Sequence, residues 1–455
     1  MTECKQETLR FQEISGKRVE AKFDGGMVST EAGALILREL CKKRGIFERL
    51  KDCFTDHRNP AFITHSVQAL LEQRIYGLAC GYEDLNDHDI LRQDAVFQLL
   101  IGKQPELEPK LAGRNTLNRL ELSGQDIEEG ERYKKISCND EKLQEFFVEE
   151  FVRYAKRHKL KQIILDCDAT DVPLHGNQEG RFFHGYYGHY CYLPLYIFCE
   201  EFPLWAELRP SNIDASQGTE EALSKIVGQL RRKLKNIKII VRGDSGFARE
   251  SIMQYCEKAG IDYVLGLARN VRLESELEND MAEAEARFKK TATASRIFKD
   301  FQYKTLDSWS RTRRVIGKAE YLPKGPNPRF IVTSLSRSAL KAAELYENCY
   351  CKRGEMENHI KEQFQLFSYR LSSGVKRANQ LRLWFSTLAY LILVLVKKYA
   401  LKNTPLANAE VLSIRLKLIK LAAKVTVSAR RVYLSLAQGF PFQKIFATAL
   451  KNATA

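Results

Sequence analysis

The chain has 455 residues, 44% hydrophobic and 28% charged, with a formal net charge of +15 and a pI near 9.2. That balance is ordinary for a soluble globular protein with a packed core, and the length allows about two to four domains. The longest apolar run, Leu383 to Val396, is about fourteen residues, too short to span a bilayer, which excludes a membrane-spanning class and predicts a buried core helix.

The charge is uneven. After Arg370 there are fourteen Lys and Arg against one acid, Glu410, so this stretch holds +13 of the +15. Such a tail is either a solvated basic face or a surface for an acidic partner, with nucleic acid first. The eleven cysteines are scattered without a CxxC pair, and "MTECKQETLRF" has no apolar h-region. A cytoplasmic protein with reduced thiols is the expectation.

Residues 1–155 read as mainly helical. "STEAGALILRELCKKRG" (Ser29 to Gly45) has a polar start, an apolar stripe and a terminal glycine, and "HSVQALLEQRIYGLACG" behaves the same way. "GRNTLNRLE" reads as a short helix capped by Asn115 that presents Arg114 and Arg119. An acid-rich amphipathic helix is predicted from about Asp140 to His158.

The pattern then changes. "KQIILDCD", "HYCYLPLYIFCE" and "FPLWAELRP" read as strands, the last two an antiparallel pair. A helix ("TEEALSKIVGQLRRKLKN"), a strand ("IKIIVRGDSGF"), a helix ("ARESIMQYCEKAG") and a strand ("DYVLGLA") follow. The order β-β-β-α-β-α-β belongs to the α/β class. Residues 272–335 read as one helix and then a β-rich insertion punctuated by Gly325, Pro326 and Pro328. A long helix is predicted from near Ser336, and a basic helical tail beyond Ser372.

Side chains two apart on a strand share a face, so Asp166 and Asp168 point the same way. Asp244 ends a second apolar strand. Acids at the C-terminal ends of neighbouring strands meet where open α/β sheets place their sites. Hard cations such as Mg²⁺ take such oxygen ligands, yet an Asp at a strand end is as often a helix cap. On the late helix Tyr350, Arg353, Glu357 and Lys361 fall on one face at offsets of 3, 4 and 4. That stripe either holds an anionic substrate beside the acids or is a solvated face with a Glu357–Lys361 pair. A zinc site from His175, His184, His189, Asp166 and Cys191 matches no standard ligand spacing. "HGYYGHYCY" reads as aromatic packing on a sheet surface, and no Ser-His-Asp set or phosphate-binding glycine loop is present.

Taken together, "FDGGMVSTEAGALILREL", "GYEDLNDHDILRQD", "NTLNRLE", "LDCDATDVPLHGNQEGRFFHGYYGHYCYLPLYIF", "LRPSN", "VRGDSGFA" and "YCKRGEMENHIKE" resemble the DDE transposases of bacterial insertion sequences, in particular insertion-sequence family 1380. The resemblance covers nearly the whole chain. It implies an α/β fold with a ribonuclease-H-like catalytic core, divided as 156–271, a β-rich insertion at 272–335 and a Glu-bearing end at 336–400. A helical DNA-end-binding region at 1–155 and a basic helical region at 401–455 flank it.

Carried over by residue, the resemblance makes Asp168 (in Asp168-Ala169-Thr170), Asp244 and Glu357 the catalytic and metal-binding acids, with Asp166 the rival for the first place. Tyr350 and Arg353 match a tyrosine–arginine–glutamate–lysine signature and would contact DNA. The position of its lysine holds Phe364, with Lys361 one turn earlier. Arg114 and Arg119 are candidates for end recognition. The implied activity is cleavage at terminal inverted repeats and transfer of the freed 3′ ends into target DNA, with two Mg²⁺ (or Mn²⁺) ions and a homodimer on the DNA ends. A metal-dependent nuclease that cuts without joining, and a non-catalytic DNA-binding relic, are the alternatives.

Overall fold

The computed structural model of the protein describes residues 8–127 and 130–455; Cys4 and most of the amino-terminal stretch discussed above lie outside them. The chain forms two compact units. One joins residues 1–139, 365–367 and 388–455, and the other holds 140–364 and 368–387.

In the first unit an antiparallel hairpin (Leu9–Ile14 with Lys17–Ala21) precedes a set of short helices. Helix Leu35–Arg44 ends at Gly45 with φ +59°, the left-handed stop its sequence predicts. Helix Val67–Cys80 starts at Ser66, whose hydroxyl accepts from Ala69 N at 3.2 Å. Helix Arg114–Glu121 is capped from elsewhere than expected: Gly113, not Asn115, holds the cap position, and Asp89 Oδ1 accepts from Arg114 N at 3.0 Å. A neighbouring carboxylate thus replaces the local cap. The buried Arg74–Glu121 pair, 2.7 Å, ties this helix inside the unit.

The carboxy-terminal region is not wholly helical. Strands Ala423–Val427 and Val432–Leu436 form an antiparallel hairpin, and Val28–Ser29 adds a third strand. The alternation in "AKVTV" buries Ala423 and Val425 and exposes Lys424 and Thr426, a period of two that outweighs the basic, helix-like flanks. Nor is the basic stripe all surface. Arg415 is buried and donates to the carbonyls of Ala79 (3.0 Å) and Gln365 (3.0 Å), while Lys420 pairs with Glu31.

The second unit is built on a nine-stranded mixed sheet. Its strands are β1 (Gln162–Ala169), β2 (Leu195–Cys199), β3 (Phe202–Glu207), β4 (Lys238–Gly243), β5 (Asp262–Leu267), β6 (Ser295–Tyr303), β7 (Arg313–Leu322), β8 (Gly325–Pro326) and β9 (Arg329–Thr333). The order is β3-β2-β1-β4-β5-β9-β7-β6, with β8 beside β7. β1, β4 and β5 are mutually parallel, and the remaining pairings are antiparallel. Helices α1 (Asp140–His158), α2 (Thr219–Lys233), α3 (Glu250–Ala259), α4 (Val271–Glu276) and α5 (Glu278–Thr291) are set among them.

Two expectations change here. "HYCYLPLYIFCE" is two strands, because the chain turns at Leu193-Pro194; His189–Tyr192 joins a small sheet with Phe182–His184 and Val172–Pro173. The β-rich stretch after α5 continues the main sheet, since β9 pairs with β5.

The late helical stretch begins at Ala342 rather than Ser336. It widens into a π-helical turn at Leu345–Tyr350, tightens at Cys351–Arg353 and runs on as α6 (Gly354–Phe364). Leu345, Tyr346 and Cys349 pack on Ile240, Val264, Ile316 and Ile331, which fastens this stretch to one face of the sheet. Helix α7 (Lys376–Leu395) continues to Ala400 and is apolar and long enough, by length and composition, to cross a membrane. Its residues from Leu383 to Val396 are buried, as expected of a core helix.

Candidate active site

β1 alternates. Ile163, Leu165 and Cys167 are buried on one face, and Ile164, Asp166 and Asp168 line the other. The parallel neighbour β4 places Arg242 opposite Asp166 and runs into Asp244 one residue beyond its end. The helical stretch through Tyr350 and Arg353 lies over this face, so both acids face its polar side chains.

The two acids on β1 have different partners. Asp166, 5% exposed, is gripped by Arg242, with Nη2 2.7 Å from Oδ2 and Nε on Oδ1. Arg242 Nη1 also donates to the Cys349 carbonyl, tying strand to helix. Burial pushes the Asp166 carboxyl up and the two Arg242 bonds act against it; the fork geometry is that of a charged pair. Asp168 lacks such a grip. Its Oδ1 accepts from Ala169 N at 2.9 Å, and the nearest cation, Arg353 Nη1, stands 3.8 Å from Oδ2. Burial raises Asp168 to about 7; Arg353 opposes the shift, while Asp244 and Glu357 add to it.

Asp244 caps the short 3-10 turn Ser245–Phe247 through Gly246 N at 2.8 Å and also faces Asp168, so the cap does not remove it from the acid pair. Glu357 pairs with Arg353 (3.1 Å), not with Lys361. Arg353 therefore stands between Asp168 and Glu357. Tyr350 is half-buried, and its hydroxyl reaches the Asp244 turn over Gly266. A Cβ on Gly266 would meet that hydroxyl at 2.5 Å, Ser245 N at 2.9 Å and the Asp244 carbonyl carbon at 3.1 Å. Burial raises the Tyr350 phenol.

The structure thus gathers Asp168, Asp244, Arg353, Glu357 and Tyr350 in one place. Lys361 is exposed on α6, and Phe364 packs its ring against Tyr369 at 6.0 Å, which explains an aromatic there. Arg114 and Arg119 lie in the first unit. Arg114 donates to Asn86 at 2.7 Å and approaches Asp89, and Arg119 lies 5.3 Å from the Tyr133 ring. The histidine–cysteine set does not assemble: His189 pairs with Asp171 at 2.7 Å and Asp166 is bound to Arg242. Among the described residues, no three carboxylate, imidazole or thiol groups stand close enough to hold a metal ion. "HGYYGHYCY" is only partly packing, since Cys191 and Tyr192 are buried while Tyr186 and Tyr190 are exposed.

Sequence reasoning missed two residues that shape the site's surroundings: Arg242, which holds Asp166 and the Cys349 carbonyl, and Gly266, which leaves room for the Tyr350 hydroxyl. The first had a signal: a cation inside "IIVRGD" requires a buried anion. Gly266 offered less, a glycine within an apolar strand, where a close backbone approach is one of several causes.

The family described as transposase DDE domain group 1 matches residues 11–454. Among solved structures, the chain is similar to a piggyBac transposase synaptic complex with hairpin DNA (10% identity, 86% of this chain and 80% of that chain, TM-score 0.39). It is also similar to a Mos1 transposase paired-end complex with the left transposon end (13% identity, 46% and 60%, TM-score 0.18). No curated protein matches.

Proposed function

The chain belongs to the transposase DDE domain group 1 family, and from that premise we propose that it cleaves DNA at the terminal inverted repeats of its own element and transfers the freed 3′ ends into target DNA. Family membership implies a DNA-cleaving and DNA-transferring enzyme. The finer parts of the proposal are a ribonuclease-H-like core, affiliation with bacterial insertion-sequence family 1380, a cytoplasmic setting and a homodimer assembled on the DNA ends.

The order β3-β2-β1-β4-β5, with the first three strands antiparallel and β1, β4 and β5 parallel, supports the core assignment. One observation carries the site: Asp168 and Asp244 meet at the ends of adjacent parallel strands, with the Arg353–Glu357 pair beside them.

Asp168, Asp244 and Glu357 are hard oxygen donors of the kind that holds Mg²⁺ or Mn²⁺, and the three would share an ion only once Glu357 leaves Arg353. Burial is the main cause of the raised Asp168 carboxyl, and its neighbours Asp244 and Glu357 add to it. Two such ions, when bound, would stabilise the attacking and leaving oxygens of an in-line displacement. The chain's own residues do the rest. Arg353, released from Glu357, offers a planar fork to a backbone phosphate. Tyr350, held over Gly266, presents its hydroxyl to the DNA end beside Asp244. Lys361, exposed on the same helix, adds a point charge for phosphate.

The test uses purified protein, Mg²⁺ and labelled DNA carrying the element's ends, with Asp244→Asn alongside. The proposal expects cleavage at the ends and joining to a plasmid by the wild type, and binding alone by the variant. Cutting without joining would move the assignment to a nuclease; equal products from both proteins would remove Asp244 from the chemistry.

A further inference from the structure

Helix Arg114–Glu121, in the first unit, has two unlike faces. Leu117, Leu120 and Glu121 are buried and fasten it, Glu121 through its pair with Arg74. Arg114, Asn115, Asn118 and Arg119 are exposed, and their spacing gathers them on the opposite side. None of the four is apolar, so this face gives a protein partner little to bury.

The two asparagines do not serve the helix. Asn is a poor helix former, because its amide is better used in caps and turns. Here Asp89 supplies the cap by accepting from Arg114 N, which leaves the Asn115 amide out of it. Among the described residues, neither the Asn115 nor the Asn118 side chain makes a hydrogen bond. Two amides, each with a donor and an acceptor side by side, thus stand free on a fixed helix. Their complement is an acceptor beside a donor, which is what N7 and N6 of adenine present in the major groove. At i and i+3 the two side chains are about 5–6 Å apart, one or two base-pair steps of ~3.4 Å.

The cations beside them suit the DNA backbone. The Tyr133 ring lies 5.3 Å from the Arg119 guanidinium and 5.6 Å from that of Arg132, and guanidiniums on a ring face keep N–H edges to offer. Glu131 orders this loop by accepting from Tyr133 N (2.8 Å) and Lys134 N (3.1 Å), and the Lys134 side chain is exposed. Amides on a helix face with cations along its flank match a duplex, where base edges lie between rows of phosphates.

We propose that helix Arg114–Glu121 reads duplex DNA in the major groove. Asn115 and Asn118 each pair with an adenine edge, while Arg119, Arg132 and Lys134 hold flanking phosphates. This assignment rests on the proposed action at DNA ends, and adds which side chains choose the sequence.

Selection by the full chain from duplexes with a randomised centre, without divalent ions, tests it. The wild type should enrich a motif with two adenines one or two steps apart. Asn115→Ala should lose the preference at one of these positions and Asn118→Ala at the other, each binding the wild-type motif about tenfold more weakly. Both should melt no lower than the wild type, since alanine is the better helix former. Lys134→Ala should keep the motif, weaken all sequences alike and lower the slope of log Kd against log salt by about 0.9. Three results would overturn the proposal: no enriched sequence, a motif without adenine, or folded asparagine variants that keep the wild-type preference. A wild type that enriches the motif and never cuts would leave this assignment standing and remove the cleavage chemistry alone.

Discussion

Asp166 and Asp168 stand two residues apart on one face of β1, and their surroundings divide one strand into a structural half and a chemical half. Toward the middle of the sheet, Asp166 is locked to Arg242, which is bound in turn to the Cys349 carbonyl. At the strand end, Asp168 is slightly less buried and faces two further acids and one distant arginine. Burial acts on both carboxyls; the difference is whether a cation has been built in. A carboxylate already neutralised by the fold has no need of an ion or substrate, and one left near pH 7 does.

The largest expected effect that would break this comparison is on activity. Asp168→Asn should lower DNA-end cleavage by about ten-thousandfold, ~5 kcal/mol, while leaving thermal stability equal or higher, read by labelled-end assays beside a melting curve. Asp166→Asn should act the other way. Leaving Arg242 buried and unpaired costs about 3–5 kcal/mol by denaturant unfolding, and replacing both partners by apolar residues of similar volume should return much of that.

Gly266→Ala probes the boundary between the halves. Its Cβ collides with the Tyr350 hydroxyl and the Asp244 turn, so a loss of about 2–3 kcal/mol in stability should come with weakened cleavage. A normal variant would mean that Tyr350 is not held where the site needs it.

The smallest effect sharpens the comparison in the other unit. Glu72 is raised from 4.5 to about 7, chiefly by burial, without a tight arginine pair. With the folded value above the unfolded one, its contribution is intact below about pH 4.5 and is lost as pH rises through about 7. Glu72→Gln should therefore stabilise the protein at pH 8, by up to about 2 kcal/mol, and give no gain at pH 4.5, checked by thermal midpoints at the two pH values.

Much of this was legible in the sequence because it rests on local periodicity. β1 and β4 announce themselves as apolar runs ending in Asp, and the helix spacing puts Arg353 and Glu357 within one turn. What was illegible rests on distant contacts. The choice between Asp166 and Asp168 depends on Arg242, 76 residues from Asp166. The start of helix Arg114–Glu121 depends on Asp89, 25 residues before it. The hairpin between residues 423 and 436 is hard to read from sequence because the short alternations in "AKVTV" and "VYLSL" lie among basic, helix-compatible residues. The π-helical turn before Tyr350 has no reading in residue spacing, since a uniform helix yields the same offsets.

End cleavage by Asp168→Asn and Asp166→Asn, each scaled to its folded fraction, tests the central claim most directly. The account predicts that folded Asp166→Asn cuts within about tenfold of the wild type and that Asp168→Asn binds the ends without cutting. An Asp168→Asn protein that cuts normally, or an Asp166→Asn protein that folds fully and does not cut, would contradict it.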